Sequence, residues 1–310
     1  MKNFETYQYL EGEPMTERDK REVGSKFWNE GKWTNFVAPF LPENCTDMTL
    51  VDMGCNAGLF LKLAEEKGFS RVIGVDGNKE AVLKGLVYRD RIGGNYEIRN
   101  QSIEECIDQL PLSDYTVLAN VHYYFKLDDW ITYIEKLKNK TAYCIIVTAE
   151  KKPVTGAVAS DVEGIRAYFK DWQEVGFADV PLLGDPSPRR LWGLCFKSAL
   201  ERVPIDMLDN GNGQQRGFLD ELDQDKDVLD TQYYKRLQSY RKRTTSGQTV
   251  WTDEQLADYM NERRALYDNI KTYGLTKAIE ADKDNRIIDG NHRHEIMKHL
   301  GHKSILIKKR

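Results

Sequence analysis

A glycine-rich turn between a strand and a helix is the clearest chemical signal in this 310-residue sequence. The turn Gly54–Gly58 follows an apolar run that contains Asp52, and Asp76 ends the next apolar run. Glycines let the backbone turn tightly beside a ligand, and the start of a helix offers N–H groups to a negative group. An acid 22 residues after Gly54 has about the spacing needed to bind ribose hydroxyls. The segment therefore predicts a site for a nucleoside-containing cofactor.

The order of residues in the turn decides between cofactors. A dinucleotide fingerprint would read G-x-G-x-x-G. The stretch from Asp52 to Gly58 instead resembles motif I of the class I S-adenosylmethionine-dependent methyltransferases, acid-x-G-x-G-x-G, with asparagine at the middle glycine. Asparagine also accepts a positive φ. The alternative is an ordinary tight turn. The resemblance spans about residues 45–198 and implies that S-adenosylmethionine is held by Asp52, Gly54, Cys55, Asn56, Gly58 and Asp76.

Strands and helices alternate over residues 49–147, which predicts a doubly wound, Rossmann-like α/β sheet. The predicted strands are Leu50–Met53, Val72–Val75, Tyr96–Arg99, Tyr115–Ala119 and Ala142–Val147. The predicted helices are Leu59–Lys67, Lys79–Asp90, Ile103–Gln109, Asp128–Leu137 and 162–175. The strands Asp179–Leu183 and Leu191–Lys197 are expected to form the closing hairpin that the methyltransferase family has.

Polar residues follow the third and fourth predicted strands, whose carboxyl ends face ligands in open α/β sheets. The family usually contacts adenine after the third strand, which implies Gln101 and Ser102; Ser102 is equally suited to cap the next helix, with Glu105 three residues on. Asn120 follows the fourth strand and is assigned to the cofactor.

The acceptor side is predicted from the loop after the fourth strand and from the hairpin. His122 is the only histidine in the first 200 residues, and a neutral imidazole can take a proton from a hydroxyl. Its other role is to line the site or orient the acceptor, because an ionised oxygen needs no base. Tyr123, Tyr124, Arg189 and Arg190 are the predicted acceptor contacts, although core or surface roles suit them too. Residues 1–44 are predicted to be a helical extension, in which Ser25–Trp33 forms a lid or packs its aromatic rings on the sheet.

A second glycine turn opens a helix near the C-terminus. The pattern Ile288-Asp289-Gly290-Asn291-His292-Arg293, with Gly274-Leu275 upstream, resembles the ParB/sulfiredoxin superfamily over residues 201–310, with an insertion at about 209–262. The resemblance implies a smaller α+β domain that holds a phosphate or nucleotide at Asp289, Gly290, Asn291, His292 and Arg293. It also implies ATP or another nucleotide with magnesium as an additional cofactor. Thr276-Lys277 replaces the usual proline, and no catalytic acid is identified.

Four histidines near the C-terminus raise the question of a metal. They lack cysteine or clear carboxylate partners, so we predict no metal site and favour anion contact or surface exposure. The histidines are His292, His294, His299 and His302.

Composition argues against several classes of protein. Residues 1–200 carry 25 basic and 30 acidic side chains and residues 201–310 carry 20 and 19, so neither half has a strong field for nucleic acid. Five scattered cysteines predict reduced thiols in a cytoplasmic protein. No apolar stretch is long enough to predict a membrane span or a signal peptide.

The sequence therefore favours a cytoplasmic methyltransferase for a sugar, a polysaccharide end or another small polar acceptor. Bacterial polysaccharide chain-terminating methyltransferase–kinases resemble it in the glycine turn, the His-aromatic loop and the Pro-Arg hairpin. RNA-phosphate methyltransferases share G-C-N-x-G. The alternatives are a nucleic-acid methyltransferase whose second domain grips DNA or RNA, and a regulator that only senses its cofactor. The oligomeric state is not predicted.

Overall fold

The structure is a computed structural model that describes residues 8–12, 30–149, 158–179, 191–209, 216–241 and 251–310. The chain divides into two compact units, Met1–Leu200 and Glu201–Arg310. In the described ranges, no helix combines the length and apolar character needed to cross a membrane.

A seven-stranded sheet forms the centre of the first unit, in the order β3-β2-β1-β4-β5-β7-β6. The strands β1 to β5 run parallel to one another, and β7 runs antiparallel to both β5 and β6. The chain reverses its direction across the sheet between β1 and β4, where open α/β sheets bind ligands. The strands are β1 Thr49–Met53, β2 Arg71–Asp76, β3 Glu97–Asn100, β4 Ser113–Ala119, β5 Thr141–Ala149, β6 Gln173–Asp179 and β7 Leu191–Lys197.

Helices cover both faces of this sheet, which is why its inner strands are nearly continuous apolar runs. The helices are α1 Glu30–Lys32, α2 Leu59–Glu66, α3 Lys79–Ile92, α4 Ile103–Cys106, α5 Leu127–Leu137 and α6 Val162–Tyr168. The Rossmann-like sheet and its first five strands confirm the prediction. Trp33 is buried and packs edge-on against Phe60 of α2, with 5.6 Å between the ring centroids. The remainder of the proposed lid, residues 25–29, lies outside the described residues.

The predicted helix 162–175 is wrong in its second half. Helix α6 ends at Tyr168, and Gly176 lies inside β6 instead of ending a helix. Of the strand predicted at Asp179–Leu183, Asp179 is the last residue of β6, and residues 180–183 lie outside the described residues. Because β6 is an edge strand, its residues are mostly exposed and carry no continuous apolar run. Its pairing with β7 therefore determines the structure, and no local pattern reveals it.

The second unit combines helices with a four-stranded sheet in the order β10-β9-β11-β8. Its helices are α7 Arg216–Asp223, α8 Gln232–Arg241, α9 Asp253–Tyr273 and α10 Asn291–His299, and its strands are β8 Leu200–Pro204, β9 Ile279–Ala281, β10 Ile287–Asp289 and β11 Ser304–Lys309. A short helical turn, Ile205–Met207, follows β8 directly.

Asp223 joins three helices of the second unit. Its carboxylate accepts hydrogen bonds from Tyr267 and from Lys271 Nζ at 2.8 Å, and its other oxygen lies 2.7 Å from His299 Nε2. Lys271, followed by Tyr267 and His299, holds the pKa of Asp223 well below its usual range. His299 therefore has a structural carboxylate partner. Within the described segments, no group of three or more His, Cys, Asp or Glu side chains is placed to hold a metal ion.

Candidate active site

The glycine turn lies at the carboxyl end of β1 and is bonded to β2. The N–H groups of Gly54 and Cys55 both donate to the Val75 carbonyl, at 2.7 and 3.1 Å. Gly54 has a φ of 80°, and a Cβ there would lie 2.6 Å from Val121 Cγ1. A side chain at this position would therefore be strained and would clash with the loop after β4.

Asp76 fixes the shape of the turn from the end of β2. Its Oδ2 accepts a hydrogen bond from the Asn56 N–H at 2.8 Å, and its Oδ1 accepts one from the Asn78 N–H at 2.7 Å. Asn56 has a φ of 51°, the conformation expected of the residue that replaces the middle glycine. Burial raises the pKa of Asp76, while these two hydrogen bonds oppose the rise.

Asp52 lies in β1 just before the turn and is only 1% exposed. Burial, with a smaller contribution from the charge of Asp76, raises its pKa to about 8. Cys55 is also completely buried, and burial raises its pKa well above that of an ordinary thiol. Cys55 therefore acts here as an apolar packing residue and not as a thiolate.

The loop after β3 contacts the end of β2 at Asp76. The Gln101 N–H donates to the Asp76 carbonyl at 3.2 Å, and Asn100 Nδ2 donates to the same oxygen at 3.0 Å. Ser102 is the N-cap of α4, where its hydroxyl accepts the Glu105 N–H at 3.2 Å. Two roles are predicted for Ser102. The structure shows the capping role, and contact with adenine stays a prediction.

Three buried oxygen atoms around this turn find no hydrogen-bond partner among the described residues: Asp52 Oδ1, Asn56 Oδ1 and Gln101 Oε1. Buried polar atoms are nearly always bonded, so such a group indicates a missing partner. All three atoms are acceptors, and a nucleoside cofactor with an ammonium group supplies amino, hydroxyl and ammonium donors. The residues present therefore fit S-adenosylmethionine.

Asn120 ties the end of β4 to the end of β5. Its N–H donates to the Val147 carbonyl at 2.8 Å, and its Oδ1 accepts the Ala149 N–H at 3.3 Å. With a φ of 59°, Asn120 turns the chain toward the loop predicted to bind the acceptor.

His122 is completely buried. Its Nε2 lies 3.1 Å from Ser160 Oγ and 3.2 Å from Thr148 Oγ1, so the ring links the loop after β4 to β5 and to the segment before α6. Two hydroxyl groups thus contact Nε2 of the ring, and this packing favours a role in holding the loop and shaping the site.

Tyr123 and Tyr124 pack ring against ring, with 4.7 Å between the centroids, and Tyr124 is 61% exposed. They are placed beside His122, as the sequence predicts, while their contact with an acceptor stays a prediction. Arg189 and Arg190 lie outside the described residues.

Comparison with known proteins identifies the family of the first unit. Residues 27–178 match the family model of a methyltransferase domain. The first unit is a class I S-adenosylmethionine-dependent methyltransferase domain. This confirms the first part of the resemblance, including its cofactor. No curated protein sequence matches the chain.

Solved structures similar to the chain include the following three, all at low sequence identity. TehB from Haemophilus influenzae is 16% identical over 49% of this chain and 57% of its own, with a TM-score of 0.42. Magnesium protoporphyrin IX methyltransferase (ChlM) from Synechocystis PCC 6803 with bound SAM is 16% identical over 60% and 86%, with a TM-score of 0.45. The N-methyltransferase NodS from Bradyrhizobium japonicum WM9 with S-adenosyl-l-homocysteine is 18% identical over 49% and 78%, with a TM-score of 0.40. The chain thus spans just over half of the TehB chain.

One residue of the methyltransferase domain that the sequence analysis missed is Gln8. Its Oε1 accepts the N–H of Leu59, the first residue of α2, at 3.0 Å. This N–H was expected to be free for a ligand, and the structure shows that it is occupied. The two residues are 51 positions apart, so no local motif could have revealed the contact.

The predicted phosphate site of the second unit surrounds a cavity of about 370 Å³. Gly290 has a φ of 103° and precedes α10, as expected. The role predicted for Arg293 needs correction, because its guanidinium donates to the Lys277 and Ala278 carbonyls, at 3.1 and 2.9 Å, and to Asp289 at 2.7 Å. The cavity is lined by Leu266, Ile288, Asp289, Gly290, Asn291, His292 and Arg293.

His294 is neither an anion contact nor a surface residue. It is 2% exposed, and its Nε2 lies 3.0 Å from the Ile205 carbonyl. Arg293 and His294 therefore bond to backbone carbonyls of the second unit, and Asn291 and His292 are among the residues that line the cavity at the start of α10.

Proposed function

We propose that this chain methylates an oxygen of a sugar, a polysaccharide end or another small polar acceptor in the cytoplasm. The observation that carries the proposal is the set of buried oxygens of Asp52, Asn56 and Gln101 that have no partner among the described residues and lie around the glycine turn. Gly54 of the turn lies against Val121, the residue that precedes the His122–Tyr124 loop. S-adenosylmethionine supplies an electrophilic methyl group when it is bound. The five cysteines are buried free thiols, which suits a reducing compartment.

The acceptor class is argued from the loop after β4 and from the charge of the domain. Tyr124 offers an exposed ring and a hydroxyl on one side chain, which suits an acceptor with both C–H and O–H groups. The domain carries more acidic than basic side chains, which disfavours a polyanion. In this proposal His122 holds the loop in place, and it acts as a base only on a neutral hydroxyl.

An assay with labelled cofactor tests the acceptor class. We expect label to enter saccharide or small polar acceptors, and we expect mixed-sequence DNA and RNA to bind only weakly at physiological salt. Submicromolar, salt-sensitive binding of nucleic acid together with its methylation would favour the alternative, a nucleic-acid methyltransferase. The basic segment that would serve that function includes Lys235 and Arg236, which are exposed on α8.

For the second unit, we propose a ParB/sulfiredoxin-like domain that binds a nucleotide or phosphate, with magnesium, in the cavity at the start of α10. The φ of Gly290 and the exposed Asn291 support this, because a helix start with free N–H groups attracts phosphate. The proposal includes phosphoryl transfer as a further possibility for the same cavity.

Nucleoside triphosphates with magnesium are expected to raise the melting temperature of the full chain. Replacing Asn291 and His292 together by alanine should remove this shift and leave the affinity for S-adenosylmethionine unchanged. Arg293 is unsuitable as the test residue because its loss would leave two carbonyls and Asp289 unbonded. Lys298→Ala, at the other end of α10, is the control, since Lys298 pairs with Asp206. A shift that survives the double replacement, or a chain that responds to no nucleotide, contradicts the proposal.

A further inference from the structure

The segment 8–12 lies across the start of α2 and the length of α3, although it precedes the sheet by many residues. Gln8 Oε1 accepts the Leu59 N–H, and the Gln8 carbonyl lies 3.4 Å from Lys84 Nζ. The Glu11 carbonyl accepts a hydrogen bond from Arg91 at 2.7 Å. The segment thus joins the helices that follow β1 and β2, the two strands that carry Asp52 and Asp76.

Leu10 anchors the segment by apolar contact. It is completely buried in a small cluster with Ala57, Leu59 and Tyr88. Ala57 belongs to the glycine turn itself, so the segment contacts the turn through Leu10, while Asp76 bonds to the turn through the Asn56 N–H. Two separate contacts, one with Leu10 and one with Asp76, therefore hold the turn in place.

These contacts matter because the turn contains residues with positive φ, a conformation that is unfavourable for most residue types. Gly54, Asn56 and Gly58 all have positive φ, at 80°, 51° and 85°. Gly58 is also the residue at the N-cap position of α2, and it has no side chain with which to cap the helix. Gln8 supplies an acceptor from a distant part of the chain and bonds the N–H of Leu59, the first helical residue, whereas a local capping side chain would accept from the second or third.

We propose that Gln8 is a positioning residue of the cofactor site. Its side chain, by capping α2 at Leu59, holds the turn in the shape that binds S-adenosylmethionine. Without the cap the first residues of α2 gain freedom, and the cofactor has to order them when it binds. The segment 8–12 is on this view part of the methyltransferase site and not a dispensable extension.

The test compares cofactor affinity and thermal stability in four full-length proteins. Gln8→Met keeps the length of the side chain and removes the acceptor, so we expect the Kd for S-adenosylmethionine to rise about three- to tenfold. Gln8→Glu keeps an acceptor oxygen and should bind within about twofold of the wild type. Glu11→Gln changes an exposed neighbour whose backbone carbonyl makes the contact, and it should match the wild type.

The result that overturns the proposal is a Gln8→Met protein with a lower melting temperature and an unchanged Kd, since that shows a purely structural cap. Failure of Gln8→Glu to restore binding, or an equal rise in Kd for Glu11→Gln, overturns it as well. If Gln8→Met does not fold, Lys84→Ala replaces it, because it loosens the same segment from α3 and should raise the Kd by a smaller factor. Absence of binding by the wild type would instead contradict the cofactor assignment itself.

Discussion

Replacing Asp76 with alanine is expected to weaken the binding of S-adenosylmethionine by about ten- to a hundredfold. The replacement removes two kinds of interaction, and both losses weaken binding. The carboxylate bonds the N–H groups of Asn56 and Asn78, so its removal frees both the glycine turn and the start of α3. It also removes the acid at the tip of β2 that we predict to bind the two ribose hydroxyls of the cofactor.

Isothermal titration of the full chain with S-adenosylmethionine and with its demethylated product measures this effect. Asp76→Asn separates the two losses, because it keeps one acceptor oxygen and removes the charge. Asp90→Ala is the matched control, since Asp90 is an exposed acid near the end of α3 that pairs only with Arg89 among the described contacts. Equal affinity in the wild type and Asp76→Ala, or tighter binding of a nicotinamide dinucleotide, would contradict the assignment.

The sequence predicted the parts of this fold that local patterns determine. The inner strands β4 and β5 are buried on both faces and therefore contain apolar runs, Val117–Ala119 and Cys144–Val147. The glycine turn needs positive φ at fixed positions, and only a few residue types accept it. For this reason the sequence alone predicts the strand β1, the glycine turn and the acid Asp76.

Contacts between distant residues explain the errors and omissions. The strand β6 is exposed at the sheet edge and is defined by its pairing with β7, so the helix predicted over 162–175 extends wrongly into the first three residues of β6. Arg293 occupies the place of a phosphate ligand in the motif, yet carbonyls at Lys277 and Ala278 take its donors. Gln8 reaches its partner from 51 residues away. None of these pairings leaves a signal in the neighbouring sequence.

Contacts between distant residues also limit what the sequence predicts about His122, on the acceptor side of the site. Its position after β4 was predicted correctly, but its burial and its two hydroxyl partners, Thr148 and Ser160, depend on β5 and on the segment before α6. The residue type therefore indicated an acid–base role, while the packing favours a role in holding the loop.

The affinity for S-adenosylmethionine is expected to rise between pH 6 and pH 8, by roughly tenfold for each pH unit below the pKa of Asp52. In the free protein, burial and the charge of Asp76 raise that pKa to about 8, so the carboxyl is mostly protonated at pH 7. Asp52 Oδ1 has no hydrogen-bond partner among the described residues, and a cationic cofactor beside it favours the ionised form. Binding therefore lowers the pKa of Asp52 and releases its proton.

Calorimetry at pH 7 in two buffers of different ionisation enthalpy counts the protons released, and we expect nearly one per cofactor. The Asp52→Asn protein should release no proton at this site, and its affinity should not show the corresponding rise with pH. The ammonium of the cofactor titrates equally in both proteins. The difference in the number of protons released therefore reports the ionisation of Asp52. Thermal unfolding without cofactor provides a second measurement. A raised carboxyl pKa contributes stability that is fully present below about pH 4 and is lost as the pH rises through about 8, and this loss should be absent in Asp52→Asn. Identical binding enthalpies in both buffers, or an affinity that falls from pH 6 to pH 8, would show that Asp52 is already ionised before the cofactor arrives.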